Sequence, residues 1–299
     1  MQIGIDLGAT KIEYVILDDN GEDLIRSREP SPKNYNDTIK AIFDITKKLE
    51  LKYKSGLRVG ICHPGSIPSE TGLIKNANNS PWLNNMPFQS DISKKLDREV
   101  FCENDANCFA LSEAIDGSAS HYKIVFGIIL GSGCGGGLVI DKKIITGANC
   151  LAGEWGHNPL PYFGILDDEK IEKKNLLVSN ISIEKFLSGK GLESLFFSEF
   201  KKKISTKDIF KDHQKYIKFL NKFYNRLSRS LSIIINSIDP DAIVFGGGVS
   251  NEIGNLDNLK QMTSNFSGKK NLKTVFLKPK FGDASGVRGA ARLGRSATY

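Results

Sequence analysis

The sequence predicts an α/β protein made of two related halves that share a cleft. A unit of strand, glycine-containing turn, strand, polar turn and strand begins at residue 2 and starts again at residue 123. Such self-similarity indicates two copies of one supersecondary unit. A chain of 299 residues is also too long for one ordinary core and suits two domains of roughly 120–170 residues each. Because no low-complexity linker separates the halves, we expect them to face each other directly.

The first half is expected to begin with three strands. Ile3, Ile5 and Leu7 alternate with other residues, as in a half-buried strand, and further strands follow over residues 12–16 and up to residue 24. The later elements expected here are a helix around residues 39–49, a strand over 57–62, a hairpin-like stretch over 67–76, a short helix around 92–96, a strand over 100–102 and a helix from 106 to about 116.

The second half repeats this opening and then becomes mainly helical. Lys123–Leu130 reads as a buried strand, which a glycine turn connects to a returning strand over 138–140. Residues 182–238 are expected to be mostly helical, with strands over 241–245 and 275–277 and a last helix from 284. We expect one domain over residues 1–118, completed by a C-terminal helix over 284–299, and a larger domain over 119–283.

Charge and composition favour a small-molecule protein over one that binds nucleic acid or membrane. The net charge is +7 and the pI about 9.0, but the lysines are scattered among acids, which is typical of solvated faces. The longest apolar run, Ile124–Leu130, is far shorter than a bilayer span, and Asp6 interrupts what would be a signal peptide. Five cysteines without Cys-x-x-Cys spacing indicate reduced thiols, so we expect a cytoplasmic protein.

Three glycine turns follow predicted strands and suit the binding of phosphate groups. Residues Asp6–Lys11 form the first turn, where Gly8 exposes backbone N–H groups, Thr10 adds a hydroxyl and Asp6 could hold Mg²⁺ through water. Taken alone, this turn is equally compatible with an ordinary β-hairpin. A second turn at Gly131–Gly137 and a third at Gly246–Gly248 favour a nucleotide gripped between the two halves.

Two polar segments suggest how a substrate with hydroxyl groups could be bound and activated. Asp105 follows a buried strand at a helix start, where it is either an N-cap or a base that takes a proton from an attacking hydroxyl. Glu154 and His157 lie three residues apart in a glycine-bracketed loop, where they suit a hydrogen-bonding sugar wall or a structural pair.

Taken together, these segments resemble the ROK family of bacterial sugar kinases and sugar-responsive repressors. The resemblance covers essentially the whole chain and is closest to the fructokinases of that family, through residues 63–67, 75–78, 82–84 and 158–161. The segments that carry the family resemblance are Asp6–Lys11, Asn104–Asn107, Gly131–Gly137, Gly153–His157 and Asp239–Gly248.

The resemblance implies a two-domain fold like that of actin and hexokinase (ribonuclease H-like), with an interdomain active site that uses ATP and Mg²⁺. Asp105 would be the catalytic base, and a homodimer is possible. The sugar pocket would contain Gly65, Asn78, Asn104, Asp105, Glu154, His157 and Glu184. The ATP site would contain Gly4, Ile5, Asp6, Leu7, Gly8, Ala9, Thr10, Lys11, Gly131, Ser132, Gly133, Cys134, Gly135, Gly136, Gly137, Leu138, Val139, Ile140, Gly247 and Gly248.

One departure from the family pattern concerns zinc. Members usually carry a cysteine cluster about twenty residues after the histidine, which together with it binds a structural zinc. Here no cysteine occurs after Cys150, so we expect no structural zinc and an unmetallated His157.

The resemblance predicts a kinase that phosphorylates the 6-hydroxyl of D-fructose. The alternative within the family is a kinase for N-acetylglucosamine or N-acetylmannosamine, whose signature overlaps this chain at Asn104–Ala114. A non-catalytic sugar sensor is disfavoured by Asp105 and the glycine turns. A DNA-binding repressor is disfavoured because the first nucleotide strand begins at residue 2.

Overall fold

The fold is described by a computed structural model, which covers residues 1–163, 166 and 181–294. Within those residues, two mixed sheets with helices packed on them form the α/β architecture that the sequence predicts. No helix in this described part combines the length and the apolar character that crossing a membrane requires. The five cysteines all lie within it and are free thiols, as expected.

The first sheet has strand order β3-β2-β1-β4-β5. β1 pairs antiparallel with β2, and β2 with β3, whereas β1, β4 and β5 run parallel. The parallel strands therefore point their carboxyl ends toward one edge. The elements of this half are β1 (Gln2–Leu7), β2 (Lys11–Leu17), β3 (Asp23–Pro30), α1 (Tyr35–Lys52), β4 (Arg58–His63), a 3₁₀ turn (Pro81–Leu83), α2 (Phe88–Leu96), β5 (Val100–Asn104) and α3 (Asp105–Ile115).

The second sheet has the order β10-β9-β6-β7-β8. β6 forms a hairpin with β7, β7 pairs with β8, and β6, β9 and β10 run parallel. The elements are β6 (Ile124–Leu130), β7 (Cys134–Ile140), β8 (Lys143–Ile145), a 3₁₀ turn (Trp155–His157), α4 (Ile183–Leu187), α5 (Gly189–Phe200), α6 (Thr206–Lys211), α7 (Ile217–Ile238), β9 (Ala242–Gly246), α8 (Gly248–Glu252), α9 (Leu256–Ser264), β10 (Val275–Leu277), a 3₁₀ turn (Gly282–Ala284) and α10 (Ser285–Arg292).

The predicted internal repeat is confirmed, because both sheets have one topology. In each, the first strand pairs antiparallel with the second and parallel with the fourth, and the fifth strand lies beyond the fourth. The hairpin expected over residues 67–76 is instead a loop with a single bridge between Ser66 and Lys75. Proline at positions 64 and 68 removes two backbone donors there, which explains why no longer ladder forms.

Each sheet has its own hydrophobic core. Ile42 and Leu49 of α1 pack with alternate residues of β1 in the first. In the second core, Phe196 of α5 meets Phe219 of α7 edge-to-face with ring centroids 5.4 Å apart. A third buried cluster, which includes Cys62 of β4, Phe109 of α3 and Val125 of β6, connects the two sheets.

Helix α10 approaches both α3 and the first sheet unusually closely, and glycine makes this possible. A Cβ atom on Gly289 would lie 1.8 Å from the carbonyl oxygen of Cys108 in α3. A Cβ atom on Gly60 of β4 would lie 1.9 Å from the carbonyl oxygen of Ala290. Since both obstacles are backbone atoms, neither contact can be relieved by a rotamer change, and the two glycines set the distance between α10 and its neighbours.

Gly289→Ala is therefore expected to destabilise the protein, although the same change in an unconstrained helix stabilises it by about 1 kcal/mol. Overpacking against backbone should cost about 1–3 kcal/mol and lower Tm by several degrees in thermal unfolding. Gly268→Ala, in a bend where a Cβ atom meets nothing within 4 Å, is the control for a glycine-to-alanine change without overpacking. An unchanged or raised Tm for Gly289→Ala would refute this account of the α3–α10 contact.

Candidate active site

The parallel strands of the first sheet place polar residues at one edge of that sheet. In the paired register, Asp6 of β1 lies opposite Cys62 of β4, and His63 of β4 lies opposite Asn104 of β5. Asp6, Gly65 and Asp105 therefore follow or end three neighbouring strands. This geometry brings together residues that are up to about a hundred positions apart in the sequence.

Asp105 is the first residue of α3, and its neighbour Asn104 caps that helix. The Asn104 side chain accepts a hydrogen bond from the backbone N–H of Ala106 at 2.9 Å and donates one to the Gly65 carbonyl at 2.9 Å. The Asp105 carboxylate accepts from the same Ala106 N–H at 2.8 Å. Because Asn104 provides the N-cap, the Asp105 carboxylate is left facing the cleft.

The electrostatic setting of Asp105 suits a general base. Solvent reaches the side chain from the cleft, while protein on the other sides displaces bulk water. That loss of solvation, with the negative charges of Asp6 and then Glu154, raises the pKa of Asp105 to about 6. A carboxyl with this pKa is ionised at neutral pH and is a stronger base than an ordinary aspartate.

Asp6 is the second carboxylate at this edge. Burial raises its pKa, a hydrogen bond from the Cys62 thiol lowers it, and the charge of Glu13 raises it. Among the described residues, no group of three His, Cys, Asp or Glu side chains could hold a metal ion. Mg²⁺ commonly binds through one or two carboxylates together with phosphate oxygens and water, and the water-mediated role expected for Asp6 stays a prediction.

The first two glycine turns are ordered by specific contacts. In the first, the Gly8 N–H donates to the Lys11 carbonyl at 3.0 Å, and Lys33 donates to the Ala9 carbonyl at 2.7 Å. In the second, Gly131 N–H donates to the Gly133 carbonyl at 2.9 Å, and Glu184 of α4 accepts from the Cys134 N–H at 2.9 Å. Glu184 thus joins the predicted sugar wall to the second turn.

All seven residues predicted for the sugar pocket line one cleft, with a volume of about 520 Å³. His157 is largely exposed, and its Nδ1 lies 3.4 Å from a carboxylate oxygen of Glu154. Burial raises the pKa of Glu154. Trp155, between them in sequence, is buried and donates to the Gly135 carbonyl at 2.9 Å, so it fastens the Glu/His loop to β7.

The predicted nucleotide residues divide between the cleft and the strands behind it. Thr10, Lys11, Ser132 and Gly248 are exposed. Eight of the predicted residues are buried within β1 or β7: Gly4, Ile5, Leu7, Cys134, Gly136, Gly137, Leu138 and Val139. These eight residues support the turns rather than presenting side chains to solvent.

A second cavity of about 520 Å³ adjoins the cleft at Gly131 and Ser132, which line both. Gly248 lines it too, as the third glycine turn suggests. Its far wall comes from the starts of α5 and α6, including Lys190 and Thr206, which sequence reasoning missed. Nothing distinguishes Ser188-Gly189 and Ser205-Thr206 from ordinary helix starts in the sequence, since each serine caps its helix.

The expected absence of zinc stays a prediction. The stretch after His157 on which it depends, residues 165–180, lies outside the described residues except for Leu166.

Comparison with known proteins places this site in a family. A sequence model of the ROK family matches residues 2–297. The N-acetyl-D-glucosamine kinase of Histophilus somni (strain 129Pt) is 36% identical over 305 residues, which cover 98% of each chain. The N-acetyl-D-glucosamine kinase of Haemophilus influenzae (strain 86-028NP) is 35% identical over 306 residues, which cover 98% of this chain and 99% of that one.

Two solved structures share the fold. The ROK hexokinase from Thermus thermophilus has a TM-score of 0.83 at 24% identity and covers 97% of this chain and 96% of its own. A ROK family glucokinase from Streptomyces griseus, in complex with glucose and AMPPNP, has a TM-score of 0.75 at 23% identity and covers 99% of both. The predicted actin/hexokinase-like fold is thereby confirmed.

The raised pKa of Asp105 predicts a stability effect that depends on pH. The ionised Asp105 carboxylate is less favourable in the folded than in the unfolded state, so it lowers the free energy of unfolding above about pH 6. This loss of stability diminishes as pH falls toward 3.8, the ordinary pKa of an aspartate. Asp105→Asn should therefore raise Tm at pH 8 and leave it unchanged near pH 4. Asp44→Asn, at an exposed position of α1, is the control for the substitution itself. A Tm gain that persists undiminished at pH 4 would contradict this origin.

Proposed function

The chain belongs to the ROK family, and from this premise we propose that it is a kinase that transfers the γ-phosphoryl group of ATP to the 6-hydroxyl of N-acetyl-D-glucosamine. The observation that carries the activity is the Asp105 carboxylate, which has a raised pKa and faces a cleft between two glycine turns. Support for the acceptor comes from the N-acetyl-D-glucosamine kinases that resemble this chain over nearly its whole length.

The fructose acceptor expected from sequence is not supported by these relatives, whose names match the alternative. The segments that suggested fructose contain two kinds of residue. Trp155 is buried against β7, Leu83 is fully buried, and Lys75 donates to Asn85 at 2.7 Å. These three residues stabilise loops, whereas Gly65 and Asn78 of the same segments line the cleft.

The cleft suits an in-line displacement. Asp105 accepts the proton of the sugar 6-hydroxyl as its oxygen bonds to the γ-phosphorus, and the bond from that phosphorus to the β–γ bridging oxygen breaks to release ADP. Asn104 holds Asp105 in place through the cap of α3 and its bond to Gly65. The remaining cleft residues, Asn78, Glu154, His157 and Glu184, offer hydrogen bonds that orient the ring.

The phosphates would lie between the two glycine turns, where the exposed residues Thr10 and Ser132 would offer N–H and hydroxyl groups to anionic oxygens. Bound Mg²⁺ would neutralise charge on the β- and γ-phosphates, with Asp6 reaching it through water. The nucleoside would occupy the adjoining cavity beyond Gly131 and Ser132.

Asp105→Asn should reduce kcat by roughly 10²-fold or more, because the amide retains the shape but cannot accept the proton. In the wild type, kcat/KM for the sugar should fall as pH drops below about 6, where Asp105 becomes protonated. The residual kcat/KM of Asp105→Asn should not fall in this way at low pH. If the same fall persists in the variant, it arises from titration of the phosphoryl donor, and Asp105 is not the titrating base.

A coupled assay of ADP release tests the acceptor, with N-acetylglucosamine, N-acetylmannosamine, glucose, mannose and fructose as candidates. We expect the highest kcat/KM for N-acetylglucosamine, at least about tenfold above fructose, because a pocket with polar groups placed for one substrate leaves them unpaired with another. A higher kcat/KM for fructose would overturn the proposed acceptor, and no turnover of any sugar would overturn the kinase activity.

A further inference from the structure

A smaller chamber opens from the wall of the sugar cleft. Its volume is about 150 Å³, and it is more enclosed than the cleft itself. Ser66, Asn104, Cys150 and Glu154 line both spaces and so form the opening between them. At about 30 Å³ per molecule, the chamber has room for about five waters or for a substituent of four or five heavy atoms.

One wall of the chamber contains a buried histidine with an unused acceptor. His63 is 1% exposed, and its Nδ1 lies 3.1 Å from the Pro64 carbonyl oxygen. Since a carbonyl can only accept, Nδ1 carries the hydrogen, and burial lowers the pKa of His63 to about 4, so the ring is neutral. Its Nε2 is therefore a hydrogen-bond acceptor, and it has no partner in the described part of the chain.

Asn107 provides a second unused acceptor. It is 7% exposed, and its amide nitrogen donates to Glu103 at 3.1 Å. The same Glu103 oxygen accepts from the Asn104 N–H at 2.7 Å, which fixes the orientation of the Asn107 amide. The Asn107 Oδ1 atom has no hydrogen-bond partner among the residues that the structure describes. Buried polar atoms are rarely left unpaired, so two residues of the chamber wall have hydrogen-bonding capacity that the described residues leave unused.

The chamber also contains hydrogen-bond donors and apolar surface, both of which suit an amide substituent. The hydroxyls of Ser66, Ser69 and Thr146 can donate to a carbonyl oxygen, and Ile67 and Ala152 provide apolar surface. An acetamido group combines one N–H donor, one carbonyl acceptor and one methyl group in four heavy atoms. Its size leaves space for about one ordered water, which can serve the second acceptor.

We propose that this chamber, lined by His63 and Asn107, receives the 2-acetamido group of the sugar and determines specificity for N-acetyl-D-glucosamine over glucose. This inference rests on the proposed function, because it assigns a place to the group that distinguishes the proposed acceptor. Glucose carries a hydroxyl at the same carbon, which is too short to fill the chamber and satisfy its acceptors.

The first test compares Asn107→Leu with Asn79→Leu. Both replace an amide with an aliphatic side chain of similar size, but Asn79 lines only the main cleft. The measured quantity is the ratio of kcat/KM for N-acetylglucosamine to that for glucose. Asn107→Leu should lower the ratio about tenfold or more, since it removes an acceptor for the acetamido group. Asn79→Leu should leave the ratio unchanged within about twofold, whatever its effect on either sugar alone.

A second test does not depend on the folding of the Asn107 variant. The enclosed chamber should reject longer acyl groups, so wild-type kcat/KM should fall sharply from N-acetyl- to N-propionyl- and N-butyrylglucosamine. Ala152→Gly removes a methyl group from the wall and should raise the ratio of N-propionyl to N-acetyl activity several-fold. Thermal unfolding of each variant identifies changes that come from loss of structure.

The results distinguish an incorrect role for the chamber from an incorrect acceptor. A wild type that prefers N-acetylglucosamine, with an unchanged ratio in Asn107→Leu and an acyl-length profile unaffected by Ala152→Gly, would show that the chamber holds water only. The proposed function would then stand and the inference would fall. A wild type without preference for N-acetylglucosamine over glucose would refute the proposed acceptor and the inference together.

Discussion

Two carboxylates at one sheet edge, Asp6 and Asp105, are the constraint on which the rest of the site depends. The parallel arrangement of β1, β4 and β5 places both at one edge of the sheet, and the charge of Asp6 contributes to the raised pKa of Asp105. Like charges in a partly desolvated site destabilise the fold, so other features must hold them there. The positive end of the α3 dipole stabilises the negative charge of Asp105. The Asn104 side chain caps the helix by accepting a hydrogen bond from the Ala106 N–H. The close packing of α10 at Gly289 keeps α3 from moving away.

The two sheets share a topology, yet their strand ends differ in chemistry. In the first sheet, β1 and β5 end at or before carboxylates, whereas in the second, β6 and β9 run into Gly131 and Gly247. An anionic triphosphate is repelled by carboxylates unless a cation intervenes, so in the proposed function the glycine turns and not the carboxylates would support the donor. The carboxylate side is the natural support for the acceptor hydroxyl, which must lose a proton. In this interpretation, the duplicated topology positions the strand ends. The residues at those ends then determine which group supports the donor and which supports the acceptor hydroxyl.

How far the sequence predicts the structure depends on whether a signal is local. Strand-turn units, the start of α3 at Asp105 and the repeat were predictable, because glycine turns and period-two alternation act over a few residues. The cavity wall formed by Lys190 and Thr206, and the chamber beside His63 and Asn107, were not. Those spaces exist only because distant segments pack together, and His63 and Asn107 look in the sequence like ordinary buried polar residues. The fructose expectation is not supported by the relatives, and it too relied on short segments, which do not show how distant residues such as Asn78 and Glu154 combine into one cleft.

In the proposed function, the junction of β5 and α3 would connect recognition of the sugar to the base. Within five consecutive residues, Asn104 lines both cavities, Asp105 faces the cleft, and Glu103 and Asn107 line the chamber. A substituent held in the chamber is therefore anchored to the same backbone that holds the base, and any displacement of one is transmitted to the other. Binding energy from a part of the sugar that does not react can in this way restrict the orientation of the 6-hydroxyl relative to Asp105. A sugar that lacks the substituent loses this restraint as well as the contact, so discrimination at this junction should be expressed in the rate of transfer and not only in the affinity for the sugar.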